Sequence, residues 1–365
     1  MMTFRLWKFL FVCAICLLPA GCYVGPVVEK DLADCAGLRR IKDGDFYKID
    51  LQTNKATGET ILSISNVARQ MDFAGSTRVR YSWFYDKLGL IAVPGRLPDG
   101  NEYPVFIDTG SPSAVLLSGR MVRANDLAIF PLGNTSRGEG VGLCDLPELR
   151  IGDARMIHPN CGYLGMHWEV KFLCLPWWRQ KALLLGLRQL REFSYVLFDN
   201  ANQELELGCD GRFCPENAEQ WMQYRLSYEG NSLQLKLMVE LPLEGEITQI
   251  MFDSCGRYGM AVGDEFWEKL SRANGGAAAK KGSVPMGFLG WLPCRKARIA
   301  ELEVGDVKVK NAEVIIFGQD SPMWHEPGYV SMKFFGDRTV VLDFERMVMW
   351  IRKQLDEGER LLGVI

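Results

Sequence analysis

Apolar residues in this chain fall in short runs, broken at close intervals by glycine, proline, asparagine and aspartate. That pattern predicts strands and tight turns far more often than helices. Residues 88–94 and 103–107 read as a hairpin turning at Pro98-Asp99-Gly100-Asn101. Its second strand ends Val105-Phe106-Ile107 and runs straight into Asp108-Thr109-Gly110-Ser111. The same figure recurs. Residues 233–241 and 247–252 flank a turn at Leu243-Glu244-Gly245-Glu246, and Ile250-Met251-Phe252 runs into Asp253-Ser254-Cys255-Gly256. The two aspartates lie 145 residues apart, and so do Gly100 and Gly245.

The repeat continues downstream. Apolar residues 114–117 and 259–262 are each followed by a helix start, with Ser118 and Asp264 as expected N-caps. The second helix is expected over 265–274, with Phe266, Trp267 and Leu270 on one face and Gly275-Gly276 as its stop. Residues 146–152 and 300–305 read as strands entering Gly-Asp turns. Residues 193–199 answer 337–343, and each is followed by a polar turn and one more strand, 204–207 and 347–351. A mainly β chain of two similar lobes, each an internal copy of the other, is the expected fold class.

Composition narrows the chemistry. At 365 residues the chain exceeds a single compact core, which agrees with two lobes. Its 48% hydrophobic and 24% charged residues mark an ordinary globular protein, and a net charge of −3 without a basic stripe sets nucleic acid aside as a partner. His158, His167 and His325 stand without ligand spacing, and no CxxC pair occurs, so neither a metal nor another cofactor is expected. Gly162-Tyr163-Leu164-Gly165-Met166 lacks the lysine of a phosphate loop, and no Gly-x-Ser-x-Gly elbow is present.

The N-terminus predicts export. Arg5 and Lys8 precede an apolar run over 9–18 that is too short to span a bilayer. It ends Leu18-Pro19-Ala20-Gly21-Cys22, which resembles a bacterial lipoprotein signal. The resemblance implies lipidation of Cys22 and anchoring in the cell envelope, although Pro19 departs from the usual aliphatic residue; simple secretion is the alternative. Of eleven cysteines, eight lie beyond this segment, and Cys209 with Cys214, flanking a short turn, is the easiest disulfide to draw. The chain then divides into a signal peptide (1–21), an N-terminal segment or arm (22–84), a first lobe (85–212), a second lobe (213–355) and a tail (356–365).

Two apolar-apolar-Asp-Thr/Ser loops, each on a hairpin and each followed some ninety residues later by a strand ending in Asp, resemble the pepsin and retropepsin aspartic peptidases. The resemblance covers residues 85–352 and rests on repetition. Leu183-Leu184-Leu185-Gly186-Leu187 looks like that family's segment crossing behind the catalytic loop. In the second lobe Gly328-Tyr329-Val330-Ser331-Met332 is the candidate, but it also echoes Gly162 to Met166, leaving two alignments. The resemblance implies two β-barrel lobes and a catalytic dyad of Asp108 and Asp253, with Thr109, Gly110, Ser111, Ser254, Cys255 and Gly256 supporting it. The implied activity is endopeptidase cleavage of peptide or unfolded protein. Two carboxyls about 3 Å apart share one proton, so one can activate water while the other polarises the carbonyl.

Several residues depart from that family's pattern. Either Cys255 stands where Gly110 stands in the first loop, or it is a one-residue insertion and Gly256 is the counterpart. Arg257, if it reached the carboxyls, would favour ionisation of both. The expected first-lobe flap, 133–146, carries Gly140 and Gly142 but no aromatic, whereas Phe288 and Trp291 occupy the second-lobe equivalent. Trp177-Trp178 suits peptide or membrane contact, or lobe packing. Two alternatives to the enzyme stay open: a non-catalytic binder of peptide or protein on the same fold, and a homodimer that uses Asp108 alone.

Overall fold

The computed structural model describes residues 70–134, 140–172, 175–179, 183–230, 234–286, 290–304, 307–323 and 325–353. It also gives the backbone of the strands Tyr23–Val28, Tyr47–Thr53 and Thr60–Asn66. The signal segment, Cys22, Phe288, the hairpin tip at 135–139 and the tail lie outside the described residues, as do the side chains of Trp177 and Trp178.

The chain is mainly β, with few and short helices, and its sheets curl. The first half forms one ten-stranded sheet. At its centre Glu102–Asp108 pairs antiparallel with Ala92–Arg96 and parallel with Leu183–Gly186, which in turn lies antiparallel to Val115–Ser118. Cys161–Leu164 runs parallel to Val115–Ser118, and Gly140–Cys144 with Ile129–Asn134 closes that flank.

The second half repeats the arrangement. Glu246–Asp253 pairs antiparallel with Lys236–Leu243 and parallel with Gly328–Ser331; the latter lies antiparallel to Met260–Gly263, whose parallel neighbour is Val307–Phe317. Leu243 also meets Val304 of the long strand Gly290–Val304, so this sheet bends back on itself. The offset of 145 that relates the aspartates also relates Val115–Ser118 to Met260–Gly263 and Leu183–Gly186 to Gly328–Ser331. Of the two sequence alignments for Gly328 to Ser331, the register therefore selects the one with Leu183 to Gly186.

A third set of strands joins the halves. Tyr195–Asp199 lies antiparallel to Thr339–Asp343, with Leu197 opposite Val341. Outward from that pair stand Glu204–Gly208 and Ser76–Arg80 on one side, and Val348–Arg352 and Trp221–Glu229 on the other. Ser76–Arg80 and Gln70–Asp72, both ahead of residue 85, thus supply strands to the first half. The alternation of each central strand explains its place. Tyr103, Val105 and Ile107 point inward from one, Ile250 and Phe252 from the other, and all join a core continuous across both halves.

Local elements differ from expectation in three places. Leu88 belongs to a short helix, Phe84–Leu88, rather than to the start of a strand. Gly89, with φ +66°, ends that helix by donating its N–H to the Tyr85 carbonyl, so the strand begins only at Ala92. The strand expected over 300–305 begins ten residues earlier, because Leu292, Cys294, Ala297 and Ile299 keep an inward face despite Arg295 and Lys296. The helix Asp264–Ala273 is not capped by its own Asp264. The Glu326 carboxylate accepts from the N–H groups of Glu265 (3.0 Å) and Phe266 (3.2 Å), while Asp264 pairs with Arg295.

Candidate functional site

Each aspartate sits at the end of a central strand, where the chain turns sharply instead of continuing the sheet. In the first loop Gly110 N–H donates to Asp108 Oδ1 at 3.0 Å and Ser111 N–H to the Asp108 carbonyl at 3.3 Å. In the second, Cys255 N–H donates to Asp253 Oδ1 at 2.9 Å and Gly256 N–H to the Asp253 carbonyl at 3.2 Å. The loops therefore match without an insertion, and Cys255 is the counterpart of Gly110. Short-range bonds of this kind hold each carboxylate in one rotamer.

The residues after the aspartates lock the loops together. Thr109 Oγ1 donates to the Phe252 carbonyl (3.0 Å) and accepts from Ser254 N–H (2.9 Å). Ser254 Oγ donates to the Ile107 carbonyl (2.7 Å) and accepts from Thr109 N–H (3.0 Å). Both hydroxyls are buried, so the four bonds satisfy four main-chain groups that water does not reach.

This bracing brings the Asp108 and Asp253 carboxyls into hydrogen-bonding contact. Burial raises both above the ordinary carboxylate range. Asp108 is raised furthest, because the charge and hydrogen bond of Asp253 add to the loss of solvent. Asp253 is pushed up to about 6 by burial, opposed by the N–H of Cys255 and the bond to Asp108. The two carboxyls share one proton, and the titration belongs to the pair as a unit.

The close approach leaves little room. A Cβ at residue 110 would fall 2.6 Å from the Asp253 carboxyl carbon, which is why glycine is needed there. Cys255 does carry a side chain, and its thiol lies beside the carboxyls; burial, with Asp108 and Asp253 adding, holds it far above the usual thiol range. A second asymmetry accompanies it. Ser111 in the first loop corresponds to Gly256, and Gly186 on the first crossing strand corresponds to Ser331. A Cβ on Gly256 would lie 2.8 Å from that of Ser331. The side chain has thus changed strands between the halves. Ser331 Oγ donates to the Tyr258 carbonyl at 2.9 Å, and Ser111 Oγ shares a hydrogen bond with Ser113 Oγ at 2.8 Å.

Other expected residues stand further out. Arg257 is exposed, and the charge acting on Asp108 is that of Asp253 rather than that of Arg257. Gly140 and Gly142 lie on the strand Gly140–Cys144. Gly142 is required by packing, since a Cβ there would meet the Phe130 carbonyl at 2.4 Å and the Tyr163 hydroxyl at 2.8 Å. Trp291 is 60% exposed on the strand Gly290–Val304, opposite Pro285.

Cys209 and Cys214 are not bonded to each other. Cys209 is held at the end of its strand, its N–H on the Gly75 carbonyl and its carbonyl on Ser194 Oγ, while Cys214 is exposed toward Arg346. Sequence reasoning missed Ser113, whose signal was the alternation of serines after Gly110. It also missed the buried Tyr329 hydroxyl near Asp253, which has no hydrogen-bond partner among the described residues.

No protein-family profile matches the chain, and no curated protein matches it. Solved structures do. Basic 7S globulin from soybean aligns with a TM-score of 0.43 and 10% identity. Conglutin gamma, a unique basic 7S globulin from lupine seeds, aligns at 0.42 and 10%, and edgp at 0.42 and 8%. Each alignment covers 78% of this chain and 96% of the other. The first two neighbours are globulins by description, and they correct the membership in the pepsin and retropepsin peptidases that the sequence resemblance implied. At such scores the likeness assigns no function; the mainly β fold with curled sheets stands, and function must be argued from the site.

Proposed function

We propose that the chain hydrolyses peptide bonds by metal-independent acid–base catalysis at Asp108 and Asp253, as an endopeptidase acting on peptides or unfolded protein. The observation that carries this reading is the contact between the two carboxyls, which two buried hydroxyls brace from opposite halves. Asp253, ionised, takes a proton from water as the oxygen attacks the carbonyl carbon. Asp108, protonated, donates to the carbonyl oxygen. The tetrahedral gem-diol then collapses: one of its hydroxyls returns a proton to Asp108, the carbon–nitrogen bond breaks, and the proton on Asp253 passes to the departing nitrogen. Each lobe of the proposed two-lobed architecture contributes one carboxyl. The pairing of Asp108 with Asp253 of the same chain favours this over a homodimer built on Asp108 alone. The sequence of residues 1–22 supports export and lipid anchoring at Cys22, with the site working at a cell envelope.

A second reading, binding of a peptide or protein without cutting, is favoured by the Cys255 thiol in the place of a glycine. The two separate in one experiment. Protein lacking residues 1–22 is incubated with an unfolded, fluorescently labelled protein across pH 3–9. Cleavage that Asp108→Asn and Asp253→Asn each reduce by at least about a thousandfold supports the enzyme. Saturable binding without cleavage supports the second reading. Activity surviving Asp253→Asn sinks the intramolecular pair.

A further inference from the structure

Two buried cysteines stand side by side in the first half. The antiparallel register Val141↔Leu164, Gly142↔Tyr163, Leu143↔Gly162, continued by one step, sets Cys144 opposite Cys161. Both side chains point inward and are almost wholly buried, so they share one face of the sheet. Their sulfurs stand 3.3 Å apart, and both thiols also lean on the Gly162 carbonyl, at 3.8 Å and 3.7 Å. A disulfide requires about 2.05 Å between sulfurs and directly facing Cβ atoms. Opposed positions on adjacent strands supply the facing geometry, and closing the remaining gap takes side-chain rotation.

We propose that Cys144 and Cys161 are the site of an intrachain disulfide, formed when the chain folds in the presence of a small-molecule disulfide such as oxidised glutathione. One cysteine thiolate attacks the glutathione disulfide, forming a mixed disulfide and releasing one glutathione thiol. The second thiolate then attacks the protein sulfur of that mixed bond and expels the other glutathione. Two protein thiols lose two hydrogens, and one glutathione disulfide becomes two thiols.

Burial holds the Cys161 thiol well above its usual range, which starves the folded state of thiolate. The bond therefore forms while the strands are still opening and closing rather than after the core has set. Its mechanical effect is local. Gly140–Cys144 returns from the outermost strand of the sheet, and the bond ties it to Cys161–Leu164, which two intervening strands separate from the one that carries Asp108 toward the site.

The test is refolding of the full chain from the reduced, denatured state in glutathione redox buffer, then acid quench, alkylation and non-reducing peptide mass spectrometry. A linked pair of peptides carrying residues 144 and 161, lighter by two hydrogens and lost on reduction, is the expected result. The oxidised protein should also melt about 4 °C above the reduced form. Cys144→Ser and Cys161→Ser should each abolish that difference, and Cys214→Ser should leave it intact. Alkylation of both residues after oxidative refolding, or linkage of either to another cysteine, overturns the proposal; the wild-type mass measurement decides even if a serine variant fails to fold.

Discussion

At the residue scale the centre of interest is the inequality of two loops built on one plan. Both aspartates are raised by burial, Asp108 further than Asp253, and the proposed reaction accordingly takes Asp253 as its base. The competent form needs Asp253 ionised and Asp108 protonated. Activity should rise as pH climbs through about 6, the range of Asp253, and fall only at higher pH, where Asp108 loses its proton. Initial-rate profiles of kcat/KM against pH check this, and a maximum below pH 4 would contradict the assignment. The exchanged serine makes a separate prediction. Gly256→Ser alone forces its Cβ against Ser331 and should destabilise the protein by about 1–3 kcal/mol. Adding Ser331→Gly should recover part of that loss, a coupling that a double-mutant cycle in urea measures.

At the element scale the hairpins, the paired aspartate strands and the 145-residue offset were legible in sequence, because each strand carries its own inward residues and its own glycine turn. Leu183 to Gly186 was legible for the same reason. Its partner Gly328 to Ser331 was ambiguous, since two Gly-Tyr segments fit the pattern and only strand register distinguishes them. The start of the strand expected from Leu88 was misread because Leu88, like Ile91, is an apolar residue that suits either element, and Gly89 decides the outcome by its backbone conformation. The cap from Glu326 was beyond reach of local reasoning, as it arrives from 61 residues away. Glu326→Ala should cost about 1 kcal/mol by exposing the first N–H groups of the helix Asp264–Ala273, with Glu326→Gln less costly. Equilibrium denaturation monitored by circular dichroism reads both. The candidate site was legible as two aspartates with neighbouring hydroxyls; the contact of their carboxyls depends on folding both halves.

At the scale of the whole molecule, the strands Tyr195–Asp199 and Thr339–Asp343 stand side by side in a shared sheet, flanked by strands from both halves. Leu197, Val341 and Trp350 form a small cluster of their own there, with Phe213 and Trp221 packed against it. Neither half completes this sheet alone, so the halves should unfold together. Thermal curves read by tryptophan fluorescence and by loss of activity should superimpose, whereas two separated transitions would show independent units. The crossed hydroxyls of Thr109 and Ser254 carry that dependence into the site. Each makes two bonds, and both bonds end on the backbone of the opposite half. A change at residue 109 is therefore felt as unmet polar groups at 252 and 254, and a change at 254 as the same defect at 107 and 109. Heredity can alter the two copies separately at Cys255 or Ser331, but at these two hydroxyls each copy is kept honest by the other.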